Sequence, residues 1–411
     1  MSGRHDWLAG RRFWVAVLVG WTLARLVTTG ILLWITHAEQ HPSIFTDGYP
    51  RYFDVATLWD GQWYQRIATE GYPDHVPRDE TGAARQNAWA FYPVFPLAAR
   101  VLMVLTGLPF AVVAPLLATA LGYAAAALLA LLLRERVGPA PALAGVLLVA
   151  TFPASPTLQV AYTESLALAL LVVVLWFLGR ERWLAAGAAA LVTGLARPIA
   201  LPLGLVALAL ALRRARRHRE QPVTPGEAGR MLVALAACGA SGLLWPGIAW
   251  LGTGQADAYT ETMGAWRAGD QVVPFAPTLH RVQELAGPML GPVLLVGGAA
   301  LLAVAVLGPW ARGLGPALRA WSLAYPLYLA AVLDPWTSLY RYLLLLFPVP
   351  LLLVGGGRAT GSADRPGGSG WRQPPWLLWV RTGVLVALFV GWQVWWSWEL
   401  FRFEPPRDDP P

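Results

Sequence analysis

The sequence predicts an all-α, polytopic membrane protein, and three observations carry that prediction. Of the 411 residues, 56% are hydrophobic and only 13% are charged. The apolar residues gather into roughly ten or eleven runs, each near the ~20 residues that cross a hydrocarbon core. Arginines collect in the short loops between runs, as basic residues do on the cytoplasmic side. Many of the 22 tryptophans stand near the ends of apolar runs, where such rings anchor at headgroup level. No stretch is long and polar enough to be a soluble domain, so residues 1–411 read as one integral membrane domain with about 10–12 transmembrane helices.

Taken in order, residues 13–35 are too long for a signal-peptide core and read as a retained anchor behind Arg4, Arg11 and Arg12, which puts the N-terminus in the cytoplasm. Residues 37–90 form a large first external loop. Spans follow near 110–133, 139–152, 160–178, 183–196, 198–212 and 230–251. A second external loop occupies 252–287. Spans near 288–308, 318–333, 339–355 and 376–397 complete the set, with a short Pro-rich acidic tail outside. Residues 91–107 are apolar but short, and carry Pro93, Pro96 and Arg100. Counting them as a full span would reverse every later loop, so they are expected to be a half-span or a tilted helix packed against protein. The Gly- and Ser-rich stretch 356–374 reads as a flexible cytoplasmic linker.

Composition also excludes several classes. The net charge of +7 is distributed among short loops: Arg134 and Arg136, Arg180 and Arg182, the 213–219 run, Arg312 and Arg319, then Arg358 to Arg381. That pattern fixes orientation and touches anionic membrane lipid; no nucleic-acid partner is expected. The single cysteine, Cys238, excludes an intrachain disulfide and a cysteine metal cluster. The chain is almost wholly arginine-based and has no Walker-type lysine or nucleotide-binding signature. His280 is alone in its loop, and Asp47, Asp54 and Asp60 lie seven and six apart, a spacing that makes no ligand set. No obligatory metal or cofactor is expected.

Function is most legible in Trp59-Asp60-Gly61-Gln62-Trp63-Tyr64. If residues 56–68 are helical, Asp60 shares a face with Trp59, Trp63, Tyr64 and Ile67, while Gln62, Gln65 and Arg66 take the polar face. A carboxylate there serves either as an N-terminal helix charge or partner for Arg51 or Arg66, or as a catalytic base facing a sugar held between aromatic rings. Other ionisable residues stand at the same, external ends of spans. They are Glu164 in Tyr162-Thr163-Glu164-Ser165, Arg197 before Pro198, and Asp334 and Arg341, with Arg267 and His280 in the second external loop. Polar groups at membrane depth are costly and mark function, although snorkelling to the interface explains any one of them.

These residues also carry a resemblance. Leu58 to Tyr64, followed by Ile67-Ala68 and Gly71-Tyr72, resembles the first-loop motif of the PIG-V-type mannosyltransferases, the GPI mannosyltransferase 2 family. Ala90-Phe91-Tyr92-Pro93-Val94-Phe95-Pro96, Tyr162 to Leu166, Ala196-Arg197-Pro198, and Arg341-Tyr342 before Phe347-Pro348 are similar to later motifs of that family, in order. Thr163 and Tyr92 depart mildly from its usual Ser and Phe. The resemblance implies a GT-C-type membrane glycosyltransferase that takes mannose from a polyprenyl-phosphate carrier and acts on a lipid or glycan acceptor at the external face.

On that implication Asp60 is the general base of an inverting transfer. Trp59, Trp63, Tyr64, Tyr162, Glu164 and Tyr342 are substrate-binding candidates, and Arg197, Arg267 and Arg341 are candidates for the departing phosphate. A lipid-phosphate donor also explains the missing nucleotide-sugar domain. The competing readings are a flippase or transporter of lipid-linked sugars, which would more naturally show repeated halves and broken helices at midplane, and a non-catalytic assembly protein.

Overall fold

The computed structural model describes residues 10–41, 49–267, 273–358 and 374–403. Arg4, Asp47, most of the 356–374 linker and the acidic tail lie outside the described residues. The named elements of the described residues are helices: α1 (Arg11–Trp34), α2 (Tyr52–Val55), α3 (Asp60–Glu70), α4 (Val94–Thr106), α5 (Phe110–Val137), α6 (Pro139–Ala150), α7 (Glu164–Gly179), α8 (Trp183–Gly194), α9 (Ala200–Arg216), α10 (Pro225–Thr253), α11 (Ala258–Ala265), α12 (Ala276–Ala286), α13 (Leu290–Leu307), α14 (Gly315–Val332), α15 (Leu339–Leu343), α16 (Pro348–Leu353) and α17 (Pro375–Phe401). Among the described residues, five segments are long and apolar enough to cross a membrane: Arg11–Glu39, Phe110–Val137, Pro225–Thr253, Leu290–Leu307 and Pro375–Phe401. The protein is a multi-pass membrane protein.

Local chemistry explains where the helices begin and end. The Thr224 hydroxyl caps α10 by accepting from the Glu227 N–H at 3.2 Å, and Pro225 takes the first position, where a missing N–H costs nothing. At the other end Gly254 adopts φ 72°, the left-handed turn that closes a helix. On α13 the exposed residues Val293, Leu294, Val296, Leu301 and Val304 are all apolar, as on a helix solvated by lipid.

Two compact units divide the chain. The first comprises residues 1–43, 122–156 and 275–411, and the second 44–121 and 157–274. In the first, α1 packs on α6 and α17, and α13 on α12 and α14. Arg25 lies within α1 yet is only 5% exposed. Its guanidinium donates to the Ala150 and Ser155 carbonyls at 2.6 Å each, satisfying the end of α6. Gln393 of α17 donates to Thr28 Oγ1 and Ser155 Oγ, so polar atoms in an apolar layer are paired. In the second unit, α8 packs between α7 and α10, and α9 packs on α10.

The structure departs from four of the expected spans. The span expected at 339–355 is two short helices, α15 and α16, because Pro348 and Pro350 remove N–H donors where a continuous helix would use them. Helices α6 and α8 have 12 residues each, about 18 Å of rise, less than the ~30 Å hydrocarbon core. The expected span 160–178 begins only at Glu164, since residues 151–163 form an irregular, buried connection that includes one 3-10 turn. Non-helical backbone at membrane depth is tolerated when protein covers it. The short segment at 91–107 is α4, of 13 residues.

Candidate active site

The first-loop motif begins with a sharp turn. The expected helix over 56–68 is corrected: α2 ends at Val55 and α3 starts at Asp60. Trp59 therefore lies outside the helix, with φ 52° and ψ −111°, and does not share its apolar face by helical period. The turn is closed by the Gly61 N–H donating to the Leu58 carbonyl and the Gln62 N–H to the Trp59 carbonyl, both at 3.0 Å. From Asp60 onward the periodic reading holds. Tyr64, Ile67 and Ala68 are buried, while Gln65, Arg66, Thr69 and Glu70 are exposed. Asp60 itself is half-buried at the first position of α3, where a carboxylate also complements the helix dipole.

A second strip of chain is zipped onto this turn. The Ala161 N–H donates to the Ala56 carbonyl at 2.8 Å. Gly61 faces Ala161 so closely that a Cβ on it would lie 3.3 Å from the Ala161 methyl. Three residues further on, Glu164 opens α7 at 1% exposure. Its carboxylate pairs with Arg197 Nη1 at 2.9 Å, and Arg197 also donates to Thr163 Oγ1 at 3.4 Å. Arg197 stands in the break between α8 and α9, 5% exposed.

Tyr64 joins the two strips. Burial raises the pKa of its hydroxyl above the ordinary tyrosine value, and the negative charges of Asp60 and Glu164 add to the rise. A hydrogen bond to Thr163 and the charge of Arg197 oppose it. Asp60, Tyr64, Thr163, Glu164 and Arg197 thus share one electrostatic neighbourhood within the second unit. Thr163 was not singled out by sequence; its only signal was its place between Tyr162 and Glu164. Tyr162, at 1% exposure, lies in the buried irregular segment that leads into α7.

Aromatic packing sorts the remaining candidates. The ring of Trp63 stacks on Phe91 (5.6 Å between centroids, 13° between planes) and meets Trp266 edge-on at 5.5 Å. The Arg66 guanidinium lies 5.6 Å from the same ring. Tyr64 meets Phe91 and Phe95 edge-on at 5.4 and 5.5 Å. Trp266 is a residue the sequence reading passed over, although its neighbour Arg267 was a candidate.

Helix α11, which ends just before them, is bonded to residues of the 78–92 stretch. Arg78 pairs with Glu261 at 2.6 Å, Asn87 donates to Thr262 Oγ1 at 3.0 Å, and the Tyr92 and Tyr259 hydroxyls bond at 3.0 Å. Trp245 of α10 donates its indole N–H to the Trp89 carbonyl, beneath a cluster of Tyr72, Trp89 and Trp245 rings. Asp54 is used locally: its carboxylate accepts from the Arg51 N–H at 2.8 Å and so caps α2. Arg341, 7% exposed, and Tyr342 sit on α15 of the first unit, where the Tyr342 carbonyl accepts from the Tyr325 hydroxyl. Among the described residues, no three His, Cys, Asp or Glu side chains are gathered as a metal-binding set.

Neither a protein-family model nor a curated protein matches this chain. Solved structures do. The crystal structure of ArnT from Cupriavidus metallidurans bound to undecaprenyl phosphate superposes with a TM-score of 0.50 at 16% identity, covering 85% of this chain and 60% of that one. The oligosaccharyltransferase of Archaeoglobus fulgidus gives 0.45 at 13% identity, over 96% of this chain and 56% of that one. The likeness is one of fold. This chain spans about 60% of the length of the ArnT chain it matches. The fold class expected from the sequence, an all-α polytopic membrane protein, is the one observed, and its fold is similar to that of ArnT.

Proposed function

We propose that this protein is a GT-C-type glycosyltransferase that moves a hexosyl residue, mannose on the PIG-V-type resemblance, from a polyprenyl-phosphate carrier to a lipid or glycan acceptor. The observation that carries the reading is the gathering of Asp60 with Tyr64, Thr163, Glu164 and Arg197, in a fold similar to that of ArnT. In this reading the acceptor hydroxyl attacks the anomeric carbon, Asp60 takes its proton, and the polyprenyl phosphate leaves with its electron pair, so that the anomeric centre inverts.

The roles of the other residues follow from their surroundings. The Glu164–Arg197 pair, already mutually neutralised, holds Thr163 and through it Tyr64 beside Asp60. The charge that develops on the departing phosphate falls to arginine, whose planar fork suits it. Arg267, which follows Trp266 just after α11, is assigned that role. Arg341 and Tyr342 enter on the sequence resemblance alone. Orientation rests on the arginine distribution, which puts the N-terminus and residues 213–219 in the cytoplasm and the 37–90 and 252–287 loops outside.

The test is transfer from radiolabelled polyprenyl-phosphate mannose in membranes, comparing wild type with Asp60→Asn. Asparagine keeps the shape and still hydrogen-bonds but takes no proton, so turnover should fall by about 10²–10⁴-fold with donor binding and melting temperature preserved. Asp54→Asn, whose carboxylate caps α2, serves as the control. Full turnover in well-folded Asp60→Asn, or transfer directly from GDP-mannose without a lipid carrier, would sink the proposal.

A further inference from the structure

One arginine of the second unit stands on an otherwise apolar, exposed helix face. Between Arg85 and Arg134 the chain carries a single charge, Arg100, in the middle of α4. The helix buries Phe95, Pro96 and Ala99 on one side, and Leu102 and Met103 pack with them against the cluster of Tyr64, Ile67 and Ala68. Its other side is exposed and consists of Leu97, Arg100, Val101, Val104 and Leu105. Leu97 and Val104, three residues before and four after, are the neighbours of Arg100 on that surface. Among the described residues its guanidinium takes part in no hydrogen bond, ion pair or ring contact. Arg66, Arg78 and Arg217 of the same unit, by contrast, pair with Glu70, Glu261 and Glu181.

In a membrane protein an arginine among such side chains is costly unless its charge finds water or an anion. The anion a bilayer offers is a lipid phosphate, which a guanidinium binds through paired, charge-assisted hydrogen bonds. The face of α4 suits both parts of such a lipid, the cation for the head and Val101, Val104 and Leu105 for a hydrocarbon chain. The start of the same helix is fixed to the candidate site. The Val94 N–H donates to the Leu195 carbonyl at 3.3 Å, two residues before Arg197, and the Phe95 ring meets Tyr64 edge-on at 5.5 Å. Arg100 follows Val94 by about 9 Å of helix rise. A lipid phosphate held by Arg100 is therefore held on an element that packs directly on the site.

We infer that the exposed face of α4 is where the lipid-linked donor docks from the bilayer, with the Arg100 guanidinium on its phosphate and its prenyl chain along Val101, Val104 and Leu105. This rests on the glycosyltransferase reading and deepens it. The donor suits this face better than a bulk phospholipid, because α4 joins the face to the site and because a single chain, not two, has to lie along one helix. Arg100 captures the donor as it arrives, and Arg267 meets the phosphate as it departs. Arg100 therefore governs donor affinity and not the chemical step.

The experiment uses the full chain in phosphatidylcholine nanodiscs and compares wild type, Arg100→Gln, Arg100→Met, Arg100→Lys and Asp60→Asn. Binding is read as the rise in melting temperature on titrating sugar-free undecaprenyl phosphate, and transfer as donor KM and kcat with radiolabelled polyprenyl-phosphate mannose. Arg100→Gln and Arg100→Met should fold as wild type, because the side chain is exposed. Both should raise the apparent Kd and the KM at least about tenfold with little change in kcat, as expected for the loss of hydrogen bonds to a charged group. Arg100→Lys, a charge without the planar fork, should keep part of the affinity. Neither inorganic phosphate nor phosphatidylglycerol added to the discs should reproduce the stabilisation. Unchanged Kd and KM in Arg100→Gln and Arg100→Met overturn the inference and leave an arginine that only reaches for water. An equal, Arg100-dependent rise with phosphatidylglycerol overturns it too, since the occupant is then a bulk anionic lipid. In either case a kcat loss in Asp60→Asn leaves the proposed function standing. Arg100-dependent binding of undecaprenyl phosphate by a wild-type protein that transfers no sugar keeps the docking face and sinks the function. A wild-type protein that neither binds the lipid nor transfers from it overturns both.

Discussion

Removing the Glu164 carboxylate should destabilise the second unit more than any exposed charge change, and removing its partner as well should restore most of the loss. The Glu164–Arg197 pair is 2.9 Å apart, with side chains 1% and 6% exposed. At an effective dielectric of ~20 the attraction is about 6 kcal/mol, but desolvating each ion costs several kcal/mol, so the pair is near neutral relative to apolar residues. Glu164→Leu leaves Arg197 buried beside Thr163 with its carboxylate gone, a loss of about 3–5 kcal/mol. For a unit of roughly 200 residues each kcal/mol is about 2–4 °C of melting temperature, so a fall of about 10 °C is expected.

Glu164→Leu/Arg197→Met buries no charge and should melt within a few degrees of wild type. The assay is a thermal-shift series on detergent-purified protein, with Arg66→Met, an exposed i,i+4 partner of Glu70, as the surface control expected to change little. Two results would refute the reasoning. One is a double variant as unstable as the single, which would show that the pair is not the unit. The other is Glu164→Leu with wild-type melting and no transfer, which would make the carboxylate a direct substrate ligand.

Three further outcomes are expected. In a chain whose buried Cys238 is replaced by serine, a membrane-impermeant maleimide added from outside should label Gln86→Cys and spare His218→Cys; the reverse would invert the proposed orientation. Gly194→Ala should lower the melting temperature or abolish expression, because its Cβ would collide with the Ser241 carbonyl oxygen at the α8–α10 crossing, and overpacking costs about 1–3 kcal/mol or more. Wild-type behaviour there would mean that the two helices are not so closely apposed. Burial raises the hydroxyl pKa of Tyr64 and Tyr72, so the fold favours the neutral form. Stability from these groups is present below the unfolded value near 10 and is lost as pH rises above it. Melting temperature should therefore hold to about pH 9 and fall beyond about pH 10. Tyr64→Phe should blunt that fall, and an unchanged alkaline slope would contradict the burial argument.

Part of the site was legible because it is local. The buried Tyr64, Ile67 and Ala68 and the exposed Gln65 and Arg66 follow helical period, and period is written in the chain. Tyr162 and Glu164 stood out as polar residues at the edge of an apolar run, and α7 does open there. What period does not encode is where a helix begins. The same apolar spacing is compatible with a start at Ala56 or at Asp60, and the choice rests on the Ala161–Ala56 hydrogen bond, made with a residue about a hundred positions away.

The sequence by itself determined the helical class, the membrane environment and the first-loop motif, since runs of apolar residues, arginine-bearing loops and terminal tryptophans are properties of segments taken one at a time. Only the tertiary structure decided that Glu164 faces Arg197, that Trp266 meets Trp63, that Asn87 clips Thr262, and that Trp59 is held at positive φ. Each is a contact between distant segments or a strain that such contacts enforce. A strained turn survives only where its surroundings over-determine it, and those surroundings exist only once the chain has folded.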